Sequence, residues 1–231
     1  MSHRTRQRLL LFVGVLGLAV LMLSLFGGPS GSAHAANSAN EPLSADERIL
    51  MDQVSGYLNG LEHLQGAFLQ VAPGGGLSEG QFYLRRPGRL RFEYQPPTEL
   101  LVVADGTWVT IQEEGFGAPQ RYPISATPLS LLLEPDVDLK RDAKILKVER
   151  RPGLLQITLA ATDEETPGEL TLVFDDPSLQ LRQWVIKDAQ GLQTTIALRN
   201  VQTGIRADNA LFTVGDTLKP VIGLGGGKAR R

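Results

Sequence analysis

The chain contains no cysteine, and that single absence excludes several readings. Without a thiol there are no disulfides, no thiolate zinc sites, no cysteine nucleophile and no N-terminal cysteine to carry a lipid anchor. Histidine is nearly as scarce, being confined to His3, His34 and His63. A basic excess is lacking too: the formal net charge is −2, the wrong sign for a phosphate-binding surface, so nucleic acid is not an expected partner. Long apolar runs are absent everywhere except near the start.

That start reads as a secretory signal. Arg4, Arg6 and Arg8 form a positive region, Leu9 to Phe26 is almost unbroken apolar sequence, and Gly27, Gly28 and Pro29 break any helix. Ala33-His34-Ala35 then offers the small-x-small pattern of a cleavage site, which places the signal at residues 1–35. The apolar run is also long enough to cross a bilayer, so an uncleaved anchor is the alternative. Export places the protein in the periplasm. With no disulfide available there, the fold must stand on its own core.

Residues 36–43 read as a flexible leader, 44–215 as one domain, and 216–231, rich in glycine and then basic, as a disordered tail. No internal repeat is present. Ser44 lies three residues before Glu47 with Leu43 in front, a capping box with a possible staple. Leu50, Val54, Tyr57, Leu58 and Leu61 follow at helical spacing and predict a helix over 45–61. From Gly66 the period changes to two. Strands are expected over 66–72, 77–85, 89–94, 100–104 and 107–112, with a hairpin turn at Asp105-Gly106. In Arg89 to Tyr94 the alternation sets Leu90, Phe92 and Tyr94 inward and Arg89, Arg91 and Glu93 toward water. Thr127 is the expected cap of a short helix begun by Pro128 and carrying Leu129 and Leu132, stopped by Pro135. Five further strands are expected over 143–150, 154–161, 169–174, 179–187 and 193–202, with a last short one over 210–214. About ten or eleven strands against a few helices give a mainly β (α+β) class. A sheet that large curls, so the expected architecture is a curved, incompletely closed antiparallel barrel with helices as a lid.

The search for chemistry finds little. His63 is the only histidine beyond the signal, and no Gly-x-Ser-x-Gly elbow accompanies it. The carboxylate clusters Glu113-Glu114 and Asp163-Glu164-Glu165 sit in turn sequence and read as solvated loops rather than a glycosidase pair. Asp136-Val137-Asp138 lacks the other ligands of a calcium loop. Gly74-Gly75-Gly76 opens no helix and lacks the Lys-Ser/Thr of a phosphate loop. Neither a catalytic residue, nor a metal site, nor a cofactor is predicted. The apolar face has two readings: an ordinary core, or the wall of a cavity for an apolar ligand, which a barrel of this size has room to enclose.

One family matches in detail. Gly80-Gln81-Phe82-Tyr83-Leu84-Arg85-Arg86-Pro87-Gly88-Arg89-Leu90-Arg91-Phe92-Glu93-Tyr94 followed by Pro97, the upstream Gly66-Ala67-Phe68-Leu69-Gln70, and the downstream Val102 to Val109 with its Asp105-Gly106 resemble, in this order and spacing, the periplasmic outer-membrane lipoprotein carrier (LolA) family. Asp188 to Leu192 and Asn200-Val201 echo its later turn and strand. The resemblance spans most of 44–214. It departs at the loop Gln112 to Pro119 and after Pro220.

The resemblance implies a shuttle without a reaction. It implies a monomer that takes acylated lipoproteins from an inner-membrane ABC-type exporter and passes them to an outer-membrane receptor. It assigns Arg86 the role of a latch between lid and barrel. Leu84, Leu90, Phe92, Tyr94 and Trp108 are the expected cavity wall, and Leu50, Val54, Leu58, Leu129 and Leu132 the expected lid contacts. Two alternatives stay open: a lipid-sensing regulator of the same fold, and a carrier of another lipid.

Overall fold

A computed structural model describes residues 43–113, 115, 117–127, 130–162 and 168–214. The readings of 1–42 and 215–231, signal and tail among them, lie outside the described residues, as do Leu129, Pro128 and the acidic run at 163–165.

The first described element is helix α1, Ala45–Gly60. Its start is the capping box expected from sequence: the Ser44 hydroxyl accepts from Glu47 N at 3.2 Å, and the Glu47 carboxylate accepts from Ser44 N at 2.8 Å. Two of the four orphan amides of a helix N-terminus find partners this way. Met51, Val54 and Leu58 are buried on its inner face, and Leu50 packs partly buried beside them.

Eleven strands follow: β1 (His63–Val71), β2 (Leu77–Arg85), β3 (Arg89–Tyr94), β4 (Leu100–Asp105), β5 (Trp108–Glu113), β6 (Gln120–Pro123), β7 (Ala143–Arg151), β8 (Leu154–Ala161), β9 (Glu169–Asp175), β10 (Leu181–Lys187) and β11 (Gln193–Thr203). They form one antiparallel sheet in the order β6-β5-β4-β3-β2-β1-β11-β10-β9-β8-β7. Every neighbour is also a sequence neighbour except β1 and β11, which join the two halves. β6 and β7 do not pair with each other, so the barrel stays open. Its curvature follows from one distance. Phe92 of β3 and Trp184 of β10 are four strand spacings apart, about 19 Å in a flat sheet, yet their rings lie 6.0 Å apart.

The chain between the two edge strands makes a 3-10 turn (Ile124–Ala126), α2 (Ser130–Leu133) and α3 (Leu139–Asp142). Leu131, Leu132, Val137 and Leu139 join α1 and the inner faces of the strands in one apolar cluster. The helices therefore cover the interior. Asn59 of α1 ties this segment down, its amide exchanging hydrogen bonds with Val137 N and O, both at 2.9 Å.

Several elements differ from the sequence reading. At Thr127 the hydroxyl donates to Ile124 O at 2.8 Å, and the carbonyl accepts from Ser130 N. β6, bracketed by Pro119 and Pro123, is an added edge strand, a place where proline is tolerated. α3 is likewise added, capped by Asp138, whose carboxylate accepts from Lys140 N. The strand expected over 210–214 is a 3-10 turn, Asn209–Phe212, capped by Asp208 through Ala210 N at 2.9 Å. That turn lies on the outer face, where it alters a further expectation. Arg91 does point outward, but it is 6% exposed, because the turn packs on β3 and Leu211 O accepts from its guanidinium.

Candidate functional site

The β2–β3 hairpin is the hub of the interior. Gly80 of β2 sits opposite Tyr94 and beside Phe68; a Cβ there would lie 2.1 Å from the Glu93 carbonyl oxygen and 2.8 Å from the Phe68 ring. Glycine alone lets the Phe68 ring lie flat against the neighbouring strand. Phe68 then meets Phe92 and Tyr94 edge-on at 4.7 and 4.8 Å, and Phe82 stacks on Phe92 at 6.0 Å, favoured geometries for aromatic pairs.

Leu84, Leu90, Phe92 and Tyr94 all face this cluster and are buried. Trp108 does not. It is 38% exposed on the outer face, with the Arg121 guanidinium 5.2 Å from its ring centroid. The reason is parity: Val109 and Ile111 of β5 take the inward positions, and a one-residue step reverses the face. Of the residues expected in the helical cover, Val54, Leu58 and Leu132 are buried and Leu50 partly so; Leu129 is outside the described residues. Sequence reasoning missed Trp184 and Ile186 of β10, whose apolar neighbours alternate as the expected wall does, and missed Gln70.

Gln70 is 1% exposed, and its side-chain oxygen accepts from the Tyr94 hydroxyl at 2.5 Å. A buried polar group needs such a partner. Burial pushes the Tyr94 hydroxyl up from its ordinary value, so it stays protonated and remains a donor. Apolar side chains of the helices and the inner strand faces fill the space around this pair. A gap of about 20 Å³, room for about one water, remains between Leu58, Leu64, Leu84, Leu132 and Trp184. A larger pocket of about 310 Å³ opens between α2 and the ends of β8 and β9, floored by Leu131, Leu159 and Leu170 and rimmed by Ser130, Asp142 and Arg141.

Arg86 joins the helical cover to the β2–β3 hairpin, beside the same pocket, whose lining includes its partner Glu134. Its guanidinium donates to Leu58 O in the last turn of α1, to the Asn59 side chain at 3.2 Å and to Glu134 O just past α2. Both carbonyls lie at helix ends, Leu58 O already accepting from Leu61 N at 3.1 Å, and a planar fork with five donors can reach both at once. The backbone reinforces the junction: Arg86 N donates to Glu62 O at 2.9 Å, and Gly88 N to Leu133 O at 2.9 Å. Gly88 adopts φ +74 and sits against Gly106 of the adjacent hairpin, so both the turn and the contact require glycine. Burial pulls the Arg86 guanidinium down from its ordinary value, with Asp136 and Glu134 opposing; it remains charged. Its Nε is buried without a partner.

An open antiparallel sheet curled on an apolar interior and covered by helices defines a half-closed β-barrel. Residues 59–215 match the family of the outer membrane lipoprotein carrier protein LolA, and the chain belongs to that family. It is 28% identical over 178 residues to an outer-membrane lipoprotein carrier protein of Methylococcus capsulatus, covering 73% of this chain and 85% of that one. It is 24% identical over 127 residues to an uncharacterised protein of Rickettsia prowazekii, covering 55% of this chain and 60% of that one, so it spans under two thirds of that relative's length. A solved LolA superfamily protein from Nitrosomonas europaea shares 9% identity at a TM-score of 0.43, covering 71% of this chain and 97% of that one.

Proposed function

We propose that this protein is a periplasmic carrier that encloses the acyl chains of lipoproteins and shuttles them from an ATP-driven exporter in the inner membrane to a receptor in the outer membrane. One observation carries the reading. An apolar interior spanning the barrel is covered by helices held to the sheet by a few polar contacts, of which the Arg86 fork is the one that joins α1 and the segment after α2 together. Moving acyl chains through water is unfavourable by about 0.8 kcal/mol per exposed methylene, so a shuttle needs an apolar interior and no reactive group. The gap of about 20 Å³ is far too small for cargo, so loading requires the helical cover to swing away. Arg86 is the latch of that motion: its bonds to Leu58 O and Glu134 O hold the closed form, and acyl chains replace the packing that opening removes.

The test is a release assay. The protein as secreted is added to spheroplasts displaying a newly made outer-membrane lipoprotein, with and without an ATP-competent exporter. Exporter-dependent appearance of the lipoprotein in the supernatant, bound one to one, is the expected result. Lipid binding without release would instead favour a lipid sensor or another lipid cargo.

A further inference from the structure

The interior is not uniformly apolar. Gln70, Ser78 and Tyr94 stand on adjacent strands in neighbouring rows: Tyr94 in the row of Gly80 and Phe68, Gln70 in the row of Ser78 and Ile196, and Thr194 one inward position beyond Ile196. Gln70 and Thr194 are each 1% exposed, and Tyr94 is 6% exposed. Ser78 bonds the Thr98 hydroxyl at 3.1 Å. Toward Arg86 from Gln70 and Ser78, the inward positions of β1, β2 and β3 include Leu64, Phe68, Phe82, Leu84, Leu90 and Phe92. Along β1–β3 the inner face therefore has a polar end and an apolar end, separated along β2 by about 23 Å from Ser78 to Arg85 at ~3.3 Å per residue, while the same rows of β9–β11 carry Ile196, Trp184, Leu172, Ile186 and Leu170. An acyl chain spans about half of a ~30 Å hydrocarbon core, so it fits within that length.

The polar end also lies beside the open pocket. Thr194 pairs with Ile186, Ile186 with Leu170, and Leu170 with Leu159. The last two floor the cavity of about 310 Å³ next to α2. A continuous row of side chains thus leads from that opening to the polar end.

We propose, resting on the carrier reading, that Gln70 and Tyr94 form a carbonyl-reading subsite: they bind the ester carbonyl oxygens where acyl chains join their head group, so cargo lies head toward this end and methyl ends toward Arg86. In the closed form the two side chains satisfy each other at 2.5 Å. On loading, the Tyr94 hydroxyl turns to a lipid carbonyl oxygen, which accepts, and the Gln70 amide N–H donates to a second. A bare hydrocarbon offers no acceptor and leaves the pair on itself. The burial that keeps Tyr94 protonated keeps it a donor throughout.

The experiment compares two probes on the full chain: a tripalmitoyl-cysteinyl peptide with its ester carbonyls, and the analogue in which both ester links are replaced by ether links and the amide is kept. The natural chain is expected to bind the ester form about tenfold more tightly, the factor one hydrogen bond supplies. Tyr94→Phe is expected to bring the ratio to about one without weakening the ether probe. Because Tyr94→Phe strands Gln70, the double variant Tyr94→Phe/Gln70→Leu, which leaves neither partner polar, is measured beside it and is expected to show the same loss of preference. Infrared spectra of carbon-13-labelled ester carbonyls provide a second readout, a hydrogen-bonded band present in the natural chain and lost in both variants. Vesicles of ester-linked or ether-linked phosphatidylcholine separate the sources, showing whether the preference extends from lipopeptide to phospholipid. Equal affinity for both peptide probes in the natural chain overturns the subsite while leaving the carrier reading intact, as does a variant that weakens both probes alike. Failure to bind either probe overturns both.

Discussion

The Arg86 guanidinium donates to the backbone carbonyl of Leu58, which lies in the last turn of α1, 28 residues earlier in the chain. The same side chain reaches Glu134 O, 48 residues later. Replacing Arg86 with Leu takes the side-chain donor from both, but Leu58 O keeps Leu61 N at 3.1 Å and Glu134 is exposed to water, so the expected cost is that of the lost hydrogen bonds, about 1 kcal/mol. The expected outcome is a urea midpoint lowered accordingly, with faster hydrogen exchange confined to residues 130–142 and the last turn of α1. Arg86→Lys is expected to recover part of the loss, because one ammonium replaces a planar fork. A uniform rise in exchange over the whole sheet would show that Arg86 supports the fold generally instead of holding the cover.

Gly80 tests how tightly the interior is built. A methyl group there meets the Glu93 carbonyl at 2.1 Å and the Phe68 ring at 2.8 Å, and neither is the free end of a flexible side chain. Gly80→Ala is expected to destabilise the chain by about 3 kcal/mol, the upper range for overpacking, measured by chemical unfolding. Gly74→Ala, at a position with nothing within 4 Å, is the control and is expected to change little.

How much of this was legible in the sequence follows from the range of each signal. The capping box of Ser44 and Glu47 and the alternation of Leu90, Phe92 and Tyr94 depend on residues a few places apart, and both appear as read. The path of the sheet was legible because sequential strands pair, apart from the β1–β11 closure. Trp108 was misplaced because parity in a hairpin depends on a register that its large apolar ring does not reveal. Arg91 was misread as solvated because its cover comes from Leu211, 120 residues away. Gln70 stood in the motif but has no local mark of its partner Tyr94, 24 residues on. Arg86 was assigned by resemblance alone; no local pattern distinguishes it from its neighbour Arg85, which instead meets the C-terminal turn through Ala207 O and the Asn209 side chain.

The N-cap of α1 predicts a dependence on acid. Hydrogen bonds from the Ser44 backbone and hydroxyl hold the Glu47 carboxyl below its ordinary value of 4.5. A depressed carboxylate stabilises the fold fully above its unfolded value, and the contribution is lost as pH falls through the lower folded value. Ser44→Ala removes the reciprocal cap and is expected to cost about 1 kcal/mol at neutral pH. The difference between natural and variant chains is expected to be constant from pH 7 to pH 5 and to shrink below pH 4.5. Thermal unfolding followed across that range checks it, and a gap that widened on acidification would contradict the cap's role.

The outer face carries the last prediction. Arg91 donates to Leu211 O at 3.1 Å and twice to Glu93 Oε2, at 3.1 and 2.9 Å. Its side chain is 7% exposed and that of Glu93 31%. Arg91→Ala leaves a half-buried carboxylate and a carbonyl without their partner, at a cost of about 2 kcal/mol. Because Leu211 sits in the turn that follows Arg206, the variant is expected to be cut by trypsin at Arg206 markedly faster than the natural chain. Replacing both charges, as Arg91→Met with Glu93→Leu, removes the stranded carboxylate and fills the same space with apolar atoms. That pair is expected to regain most of the stability but not the protease resistance, because Leu211 O still lacks its donor. Recovery of both together would mean that packing of Phe212, rather than the arginine, holds the turn in place.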